Sequence, residues 1–437
     1  MDYLSNIFFA LALIVGIGFF TMNVMKLIRN IKLGKELDRS DNKIERWKNM
    51  AKIALGQSKM VSRPFSGFLH IIVYIGFVII NIEVLEIIID GLFGTHRIFQ
   101  PLLGNTIYGF LIGTFEILAF LVLVAVILFW LRRNVQQLKR FMSKEMNGWP
   151  KNDGNLILYF EIVLMSLFIL MNATDHSFQE VGVGNPVSQL VAPWFSNLSL
   201  ESLSVIEHSA WWFHIIGILI FLNYLYYSKH LHILLAFPNT FYANLNPKGQ
   251  FNNLDSVTNE VRLMMDPNID PYAMPDEGTE DKAPEKFGAS DVTDLNWVQL
   301  LNAYTCTECG RCTSSCPANM TGKKLSPRAI MMKTRDRLEE VGNNIDENGG
   351  TFKDDGKQLL NDYITPEELW ACTSCNACVE ECPIDIDPMS IIMEMRRFLV
   401  MEQSAAPQEL NMMMTNIENN GAPWQYNQQD RLNWKDE

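Results

Sequence analysis

The chain has 437 residues, a formal net charge of −13, 48% apolar residues and only 19% charged ones. An acidic balance of this size argues against nucleic acid as a partner, and the length leaves room for two or three domains. All eight cysteines lie beyond residue 300 in two closely spaced runs, so none is left over for a disulfide, and thiols kept free for a metal call for a reducing compartment.

In chain order, residues 1–240 carry the long apolar stretches. A membrane helix needs roughly 20 such residues, and five stretches qualify: 4–25, 67–89, 107–131, 155–171 and 210–227. The first starts with Asp2 in place of a basic region and is too long for a cleaved signal. Eleven Lys and Arg fall between Lys26 and Arg63 and six between Arg132 and Lys151. None falls between Thr174 and Ala210, and Arg97 alone lies in 90–104. The positive-inside rule then predicts an N-terminus outside an inner (cytoplasmic) membrane and a cytoplasmic C-terminal half.

His214 and His232 lie 18 residues apart. On one continuous fifth helix that is five turns, which puts both rings on one face and about 27 Å apart along the axis. His230 would be rotated well away from that face. His70, near the start of the second helix, is expected at the depth of His232. Two imidazoles at one depth on neighbouring helices are what a six-coordinate b-type haem requires. Histidines that merely face water at the interface would satisfy the same spacing. Glu83, Glu86, Glu116 and Glu161 are candidates for proton exchange with a quinone, although Glu86, like Asp90, is expected to lie near the outer surface and be solvated.

The segment Trp211-Trp212-Phe213-His214 through Tyr227-Ser228-Lys229-His230-Leu231-His232 resembles the last helix of the gamma subunit of respiratory nitrate reductase. It is closer to the membrane subunit of heterodisulfide reductase and its relatives in sulfate reducers. Arg63 to Phe77, with His70, is similar to their second helix. The resemblance covers about half the chain. It implies that His214 and His232 are haem b ligands and that His70 pairs with His232. It fails at one point: the second histidine of that helix, ten residues on, is replaced by Ile80. An outer haem on His214 would need His96, His176 or His208 as its partner; otherwise His214 is a hydrogen-bonding residue.

Residues 241–295 read as an acidic linker. Between Leu254 and Glu285 there are nine acidic and two basic residues, interrupted by Pro267, Pro271, Pro275 and Pro284. No helical period is evident, and an irregular surface connection is expected.

Residues 296–400 hold the cysteines. Cys306, Cys309, Cys312 and Cys316 are followed by Pro317; Cys372, Cys375, Cys378 and Cys382 are followed by Pro383. Zinc sites use pairs of Cys-x2-Cys instead of triplets closed by Cys-Pro. This spacing is that of [4Fe–4S] ferredoxins, in which the fourth cysteine serves the other cluster. The expected ligand sets are therefore Cys306, Cys309, Cys312 and Cys382 for one cluster, and Cys372, Cys375, Cys378 and Cys316 for the other. Helices are predicted over 327–341 and after the capping box Thr365-Pro366-Glu367-Glu368. The domain resembles the dicluster domain of succinate dehydrogenase iron–sulfur subunits and, more closely, the C subunit of heterodisulfide reductase.

The tail, 401–437, contains Asn419-Asn420-Gly421-Ala422-Pro423-Trp424. This is similar to the segment that precedes a cysteine-rich catalytic domain in fused relatives. It reads either as a disordered polar tail or as a sign that the catalytic part sits on a separate polypeptide.

The expected fold is thus mainly α: a five-helix transmembrane bundle followed by a cytoplasmic, mostly helical 4Fe-4S dicluster ferredoxin domain. The expected function is electron transfer between the quinone pool, haem b and two clusters, to or from a cytoplasmic redox subunit. That partner would be a cysteine-rich Fe–S oxidoreductase or an electron-transfer flavoprotein. The alternative is a membrane anchor for the dicluster domain with no haem or quinone chemistry. No glycine motif for flavin or nicotinamide follows a strand.

Overall fold

The computed structural model describes residues 3–267 and 286–436. Among them the fold is mainly helical, and β pairing is limited to isolated bridges. Five helices are long and apolar enough to cross a membrane: Leu4–Ile31, Pro64–Phe93, Phe99–Asn134, Trp149–Thr174 and Leu200–Tyr227. Each contains one of the expected stretches and extends it into the flanking polar residues. The third is kinked at Gly104, whose φ of 74° is open to glycine at little cost. The span proper begins after that kink, close to the expected start.

Sequence neighbours pack against one another, and the first helix closes the bundle by packing against both the second and the fifth. Without a hydrophobic drive between helices in lipid, small residues decide where backbones approach. At Gly91 an added Cβ would lie 2.5 Å from the Phe9 ring, so the first and second helices could not approach this closely with any other residue there. Ile14, Val15, Phe110 and Phe213 point outward and stay exposed, as lipid-facing side chains do.

The fifth helix is not continuous through His232. Its α-helical part ends at Tyr224, Ser228 is extended (φ −114°, ψ 145°), and a new helix runs from His232 to Phe241. The reason is Asp153, buried at the start of the fourth helix. Its carboxylate accepts hydrogen bonds from Ser228 Oγ at 2.6 Å and from the Lys229 amide at 3.2 Å. The five-turn argument therefore does not describe the path from His214 to His232, and the break removes the rotation that would have kept His230 apart.

Part of the expected irregular connection is also helical: Asp255–Met265 forms an exposed helix. The rest of the acidic stretch, 268–285, lies outside the described residues. The C-terminal region departs from a disordered tail in the same way. Gln408–Asn420 is a helix closed by Gly421 in the left-handed conformation (φ 65°). No residue of that helix is buried.

The cysteine-bearing half packs directly on one end of the bundle. Lys35 and residues 295–297 exchange backbone bonds of 2.8 and 3.1 Å. Asn30 Nδ2 donates to Tyr304 Oη at 2.9 Å, and Arg328 reaches Glu145 at 2.7 Å. Its central helix, Pro327–Glu347, runs past the expected Val341 and is started by Ser326, whose side chain accepts from the Ala329 amide.

Candidate functional site

Both cysteine runs fold alike. Each begins as an extended loop in which two residues take positive φ at matching places: Glu308 (53°) and Gly310 (73°) in the first, Ser374 (56°) and Asn376 (57°) in the second. Left-handed residues between ligands curl the chain so that successive thiols face inward. At Gly310 the requirement is also steric, since a Cβ would meet Arg328 Nη1 at 2.5 Å. Short helices, Arg311–Ser314 and Ala377–Glu380, then lead to the fourth cysteine and its proline.

The structure brings Cys382 to the first triplet. Cys306, Cys309, Cys312 and Cys382 line one cavity, with Cys378 at its edge and Met331, Ile386 and Pro388 completing an apolar wall. Cys316 lies instead among the charges that act on Cys372 and Cys378. All eight thiols are free. Among the described residues no three Cys, His, Asp or Glu side chains converge tightly enough for a single metal ion. Thiols spread around a cavity suit a multi-iron cluster better than one zinc ion. Amide donors are aimed at sulfur as well: Ile386 N to Cys382 Sγ at 3.3 Å and Ser374 N to Cys372 Sγ at 3.4 Å. Such bonds stabilise charge on a cluster and tune its potential.

Burial pushes the Cys306 thiol up to about 11 and the Cys378 thiol up to about 12. Burial followed by the neighbouring thiols drives Cys312 well above its usual range. Thiols this reluctant to ionise become thiolates only as metal replaces their protons. Cys375 is exposed, whereas Cys306, Cys316, Cys378 and Cys382 are buried.

Where this half meets the bundle, Glu308 of the first loop is buried between Lys229 and Arg335. Burial works to raise its carboxyl, but the two cations prevail and hold it below the usual carboxylate range. Arg311 Nη1 donates to Lys59 O at 2.9 Å, just ahead of the second membrane helix. Neither contact, nor Asp153 behind Lys229, was read from the sequence. Lys229 and Glu308 are 79 positions apart, and no local pattern links them.

The histidines lie at this same end. The rings of His70 and His232 are 6.5 Å apart between centroids. Two imidazoles on opposite sides of one metal, each bonded at about 2 Å, would have centroids roughly 6 Å apart. His232 Nδ1 lies 3.1 Å from Lys229 O, a partner that fixes the tautomer and frees Nε2. His70 Nδ1 is buried with no hydrogen-bond partner. This donor set fits a haem. His230 stands 5.5 Å from His232 between ring centroids, a consequence of the break at Ser228.

His214 is buried deeper in the bundle. Its Nδ1 lies 3.0 Å from Leu164 O, and its ring packs on Phe168 at 6.1 Å. The three candidate partners are engaged elsewhere: His96 with Asp175 and Glu207, His176 with Glu180, and His208 with Glu207.

Glu86 and Asp90, expected to be solvated, are buried at the far end of the bundle. Arg97 Nε contacts Asp175 at 2.7 Å, Nη2 contacts Asn172 at 2.9 Å, and Nη1 donates at 3.2 Å to Tyr108, whose hydroxyl donates to Glu86. Glu116 accepts from Asn172 and from the amides of Val187 and Ser188. Glu83 is buried with one carboxylate oxygen unpartnered. Glu161 is partly buried on the fourth helix.

Residues 305–386 match the 4Fe-4S dicluster domain family. The "Probable iron-sulfur-binding oxidoreductase FadF" of Bacillus subtilis is 29% identical over 439 residues, covering 93% of this chain and 57% of that protein. The "EtfAB:quinone oxidoreductase" of Syntrophomonas wolfei is 26% identical over 432 residues, covering 92% of this chain and 55% of that protein. The C subunit of the ferredoxin/F(420)H(2)-dependent CoB-CoM heterodisulfide reductase of Methanosarcina acetivorans is 33% identical over 121 residues, covering 28% of this chain and 60% of that protein. The chain thus spans little more than half the length of the first two relatives. No solved structure matches it. With eight free thiols gathered behind five apolar helices, and with iron–sulfur oxidoreductases and heterodisulfide reductase C subunits as its homologues, the chain carries a 4Fe-4S dicluster domain and has a role in electron transfer.

Proposed function

We propose that this chain is the electron-transfer subunit of a membrane oxidoreductase, linking the quinone pool through haem b and two [4Fe–4S] clusters to a redox partner. The observation that carries this reading is the facing pair His70 and His232 at the end of the bundle on which the cysteine half docks. In this reading Cys306, Cys309, Cys312 and Cys382 hold one cluster, and Cys372, Cys375, Cys378 and Cys316 hold the other. His70 and His232 hold a haem; His214 is the site of a second haem only if another ligand reaches it. These groups supply one-electron chemistry, and the chain supplies ligands, spacing and exclusion of water.

The basic residues cluster at the end of the bundle that bears the cysteine half, which supports a cytoplasmic position for it in an inner membrane with the N-terminus outside. The EtfAB:quinone oxidoreductase among the relatives favours quinone and an electron-transfer flavoprotein as the two substrates. The heterodisulfide reductase relative leaves a cysteine-rich Fe–S protein as the other partner. Residues 1–240, 241–295, 296–400 and 401–437 serve respectively as membrane domain, linker, cluster domain and tail.

The test is a reduced-minus-oxidised optical spectrum of the purified full chain with its iron and acid-labile sulfide content. A b-type alpha band is expected together with about nine iron and about eight acid-labile sulfide per chain, eight of the iron from two four-iron clusters and one from the haem. A well-folded protein with full cluster content and no haem band would reduce the function to that of a membrane anchor for the dicluster domain.

A further inference from the structure

A groove of about 430 Å³ opens where the second membrane helix begins and the third ends. Arg63, Arg132, Lys139 and Arg140 line it, with Phe65, Ser66 and Ser314. Four cations thus share one concavity. Arg63 is paired with Glu381 at 3.2 Å. Among the described residues Arg132, Lys139 and Arg140 have no carboxylate partner. Arg132 lies over the Phe65 ring at 4.8 Å, and Arg140 lies over Phe141 at the same distance. Arg140 Nε is buried with no hydrogen-bond partner. Like charges sharing one concavity favour an anion between them.

The position says which anion. Pro64 starts a membrane helix and Asn134 ends one, so the groove sits at headgroup depth. Phe65 is exposed beside it, offering apolar surface where acyl chains would begin. The Phe65 and Ser66 amides, in the first turn of the 30-residue second helix, lack intrahelical partners. Planar guanidiniums bind phosphate oxygens in a bidentate manner. Basic pockets between membrane helices are suited to lipid headgroups.

We propose that this groove binds the phosphodiester headgroup of an anionic phospholipid. Ser314 lies two residues beyond Cys312, so the bound lipid would touch both the bundle and the first cysteine loop. The site is independent of the haem and quinone reading.

The test is native mass spectrometry of the full-length, detergent-purified protein, titrated with dioleoyl-phosphatidylglycerol, with dioleoyl-phosphatidylcholine, and with inorganic phosphate as competitor. Wild type should retain one phosphatidylglycerol with about tenfold or greater preference over phosphatidylcholine. Each basic side chain contributes on the order of 1 kcal/mol near an anionic surface, or roughly fivefold. Arg132→Gln and Lys139→Gln singly should each lower the preference roughly fivefold, and with Arg140→Gln added it should vanish. Iron content and melting in phosphatidylcholine should stay at wild-type values for the single variants. Unchanged phosphatidylglycerol preference in both single variants would overturn the site. Displacement of the lipid by millimolar inorganic phosphate would overturn the lipid assignment in favour of a free-anion site.

Discussion

The Lys229 ammonium and the Glu308 carboxylate form a buried ion pair that joins the break after the fifth membrane helix to the loop between the first two cysteines. Arg335 adds a second cation to the same carboxylate at 2.9 Å. In the proposed function, electron transfer between bundle and clusters depends on a fixed spacing, and this contact is one of those that fix it. Removing one partner of a buried pair costs about 3–5 kcal/mol, because the other charge stays buried and unpaired. Glu308→Gln should therefore lower the unfolding temperature of the full protein, followed by loss of cluster absorbance. Lys357→Gln, which breaks an exposed pair with Glu340, should have little effect.

If His70 and His232 hold a haem as proposed, His232→Ala should abolish its optical band and leave the low-temperature EPR signals of the reduced clusters in place. The imidazole and the thiols belong to different elements, and no cysteine of the two runs contacts the His70–His232 pair. Loss of both signals together would contradict two separable cofactor sites. His214→Ala, by contrast, removes a ring packed on Phe168. It should leave the His70–His232 haem band intact.

The two fourth cysteines should act across the domain. Cys382→Ser should alter the cluster held by Cys306, Cys309 and Cys312, and Cys316→Ser the one held by Cys372, Cys375 and Cys378. EPR with redox titration reads this as one perturbed potential in each variant. Cys382→Ser also exchanges the sulfur that accepts the Ile386 amide bond for an oxygen. If each substitution disturbed only its own triplet, the crossed ligand sets would be wrong.

At the far end of the bundle, Arg97→Ala would leave Asp175 without its cation and remove the donors to Asn172 and Tyr108. A loss of about 3–5 kcal/mol is expected for the uncompensated buried charge. Tyr108→Phe, which removes one hydroxyl between Arg97 and Glu86, should cost about 1–3 kcal/mol. Thermal unfolding in detergent orders the two variants, and a larger loss for Tyr108→Phe would refute the central place given to Arg97.

Much of this was legible in the chain itself. Hydropathy is a local property, and each of the five spans contains its expected stretch. Cysteine spacing is equally local: two residues between ligands leave the backbone few ways to wrap a cluster, so the two runs could be recognised without a fold. The capping box at Thr365 formed as written, with both of its bonds present. What could not be read along the chain were the distant partners of buried charges. The five-turn spacing of His214 and His232 assumed an unbroken helix, and the break at Ser228 is imposed by Asp153, 75 positions earlier. Glu86 and Asp90 looked like surface carboxylates because Arg97 and Tyr108, which share their network, come from later segments. The helix at Asp255–Met265 was missed because its mean polarity hid a short amphipathic run.

The sequence by itself determined the iron–sulfur chemistry and the presence of five membrane-length apolar helices, since both follow from side-chain type and spacing along a short stretch of chain. Only the tertiary structure decided that Asp153 breaks the fifth helix at Ser228, that Lys229 reaches Glu308, and that Arg97 gathers Asp175, Asn172 and Tyr108. The physical reason is the same each time. A buried charge is stabilised by whatever the packed helices bring within a few ångströms, and that neighbour is set by the whole fold.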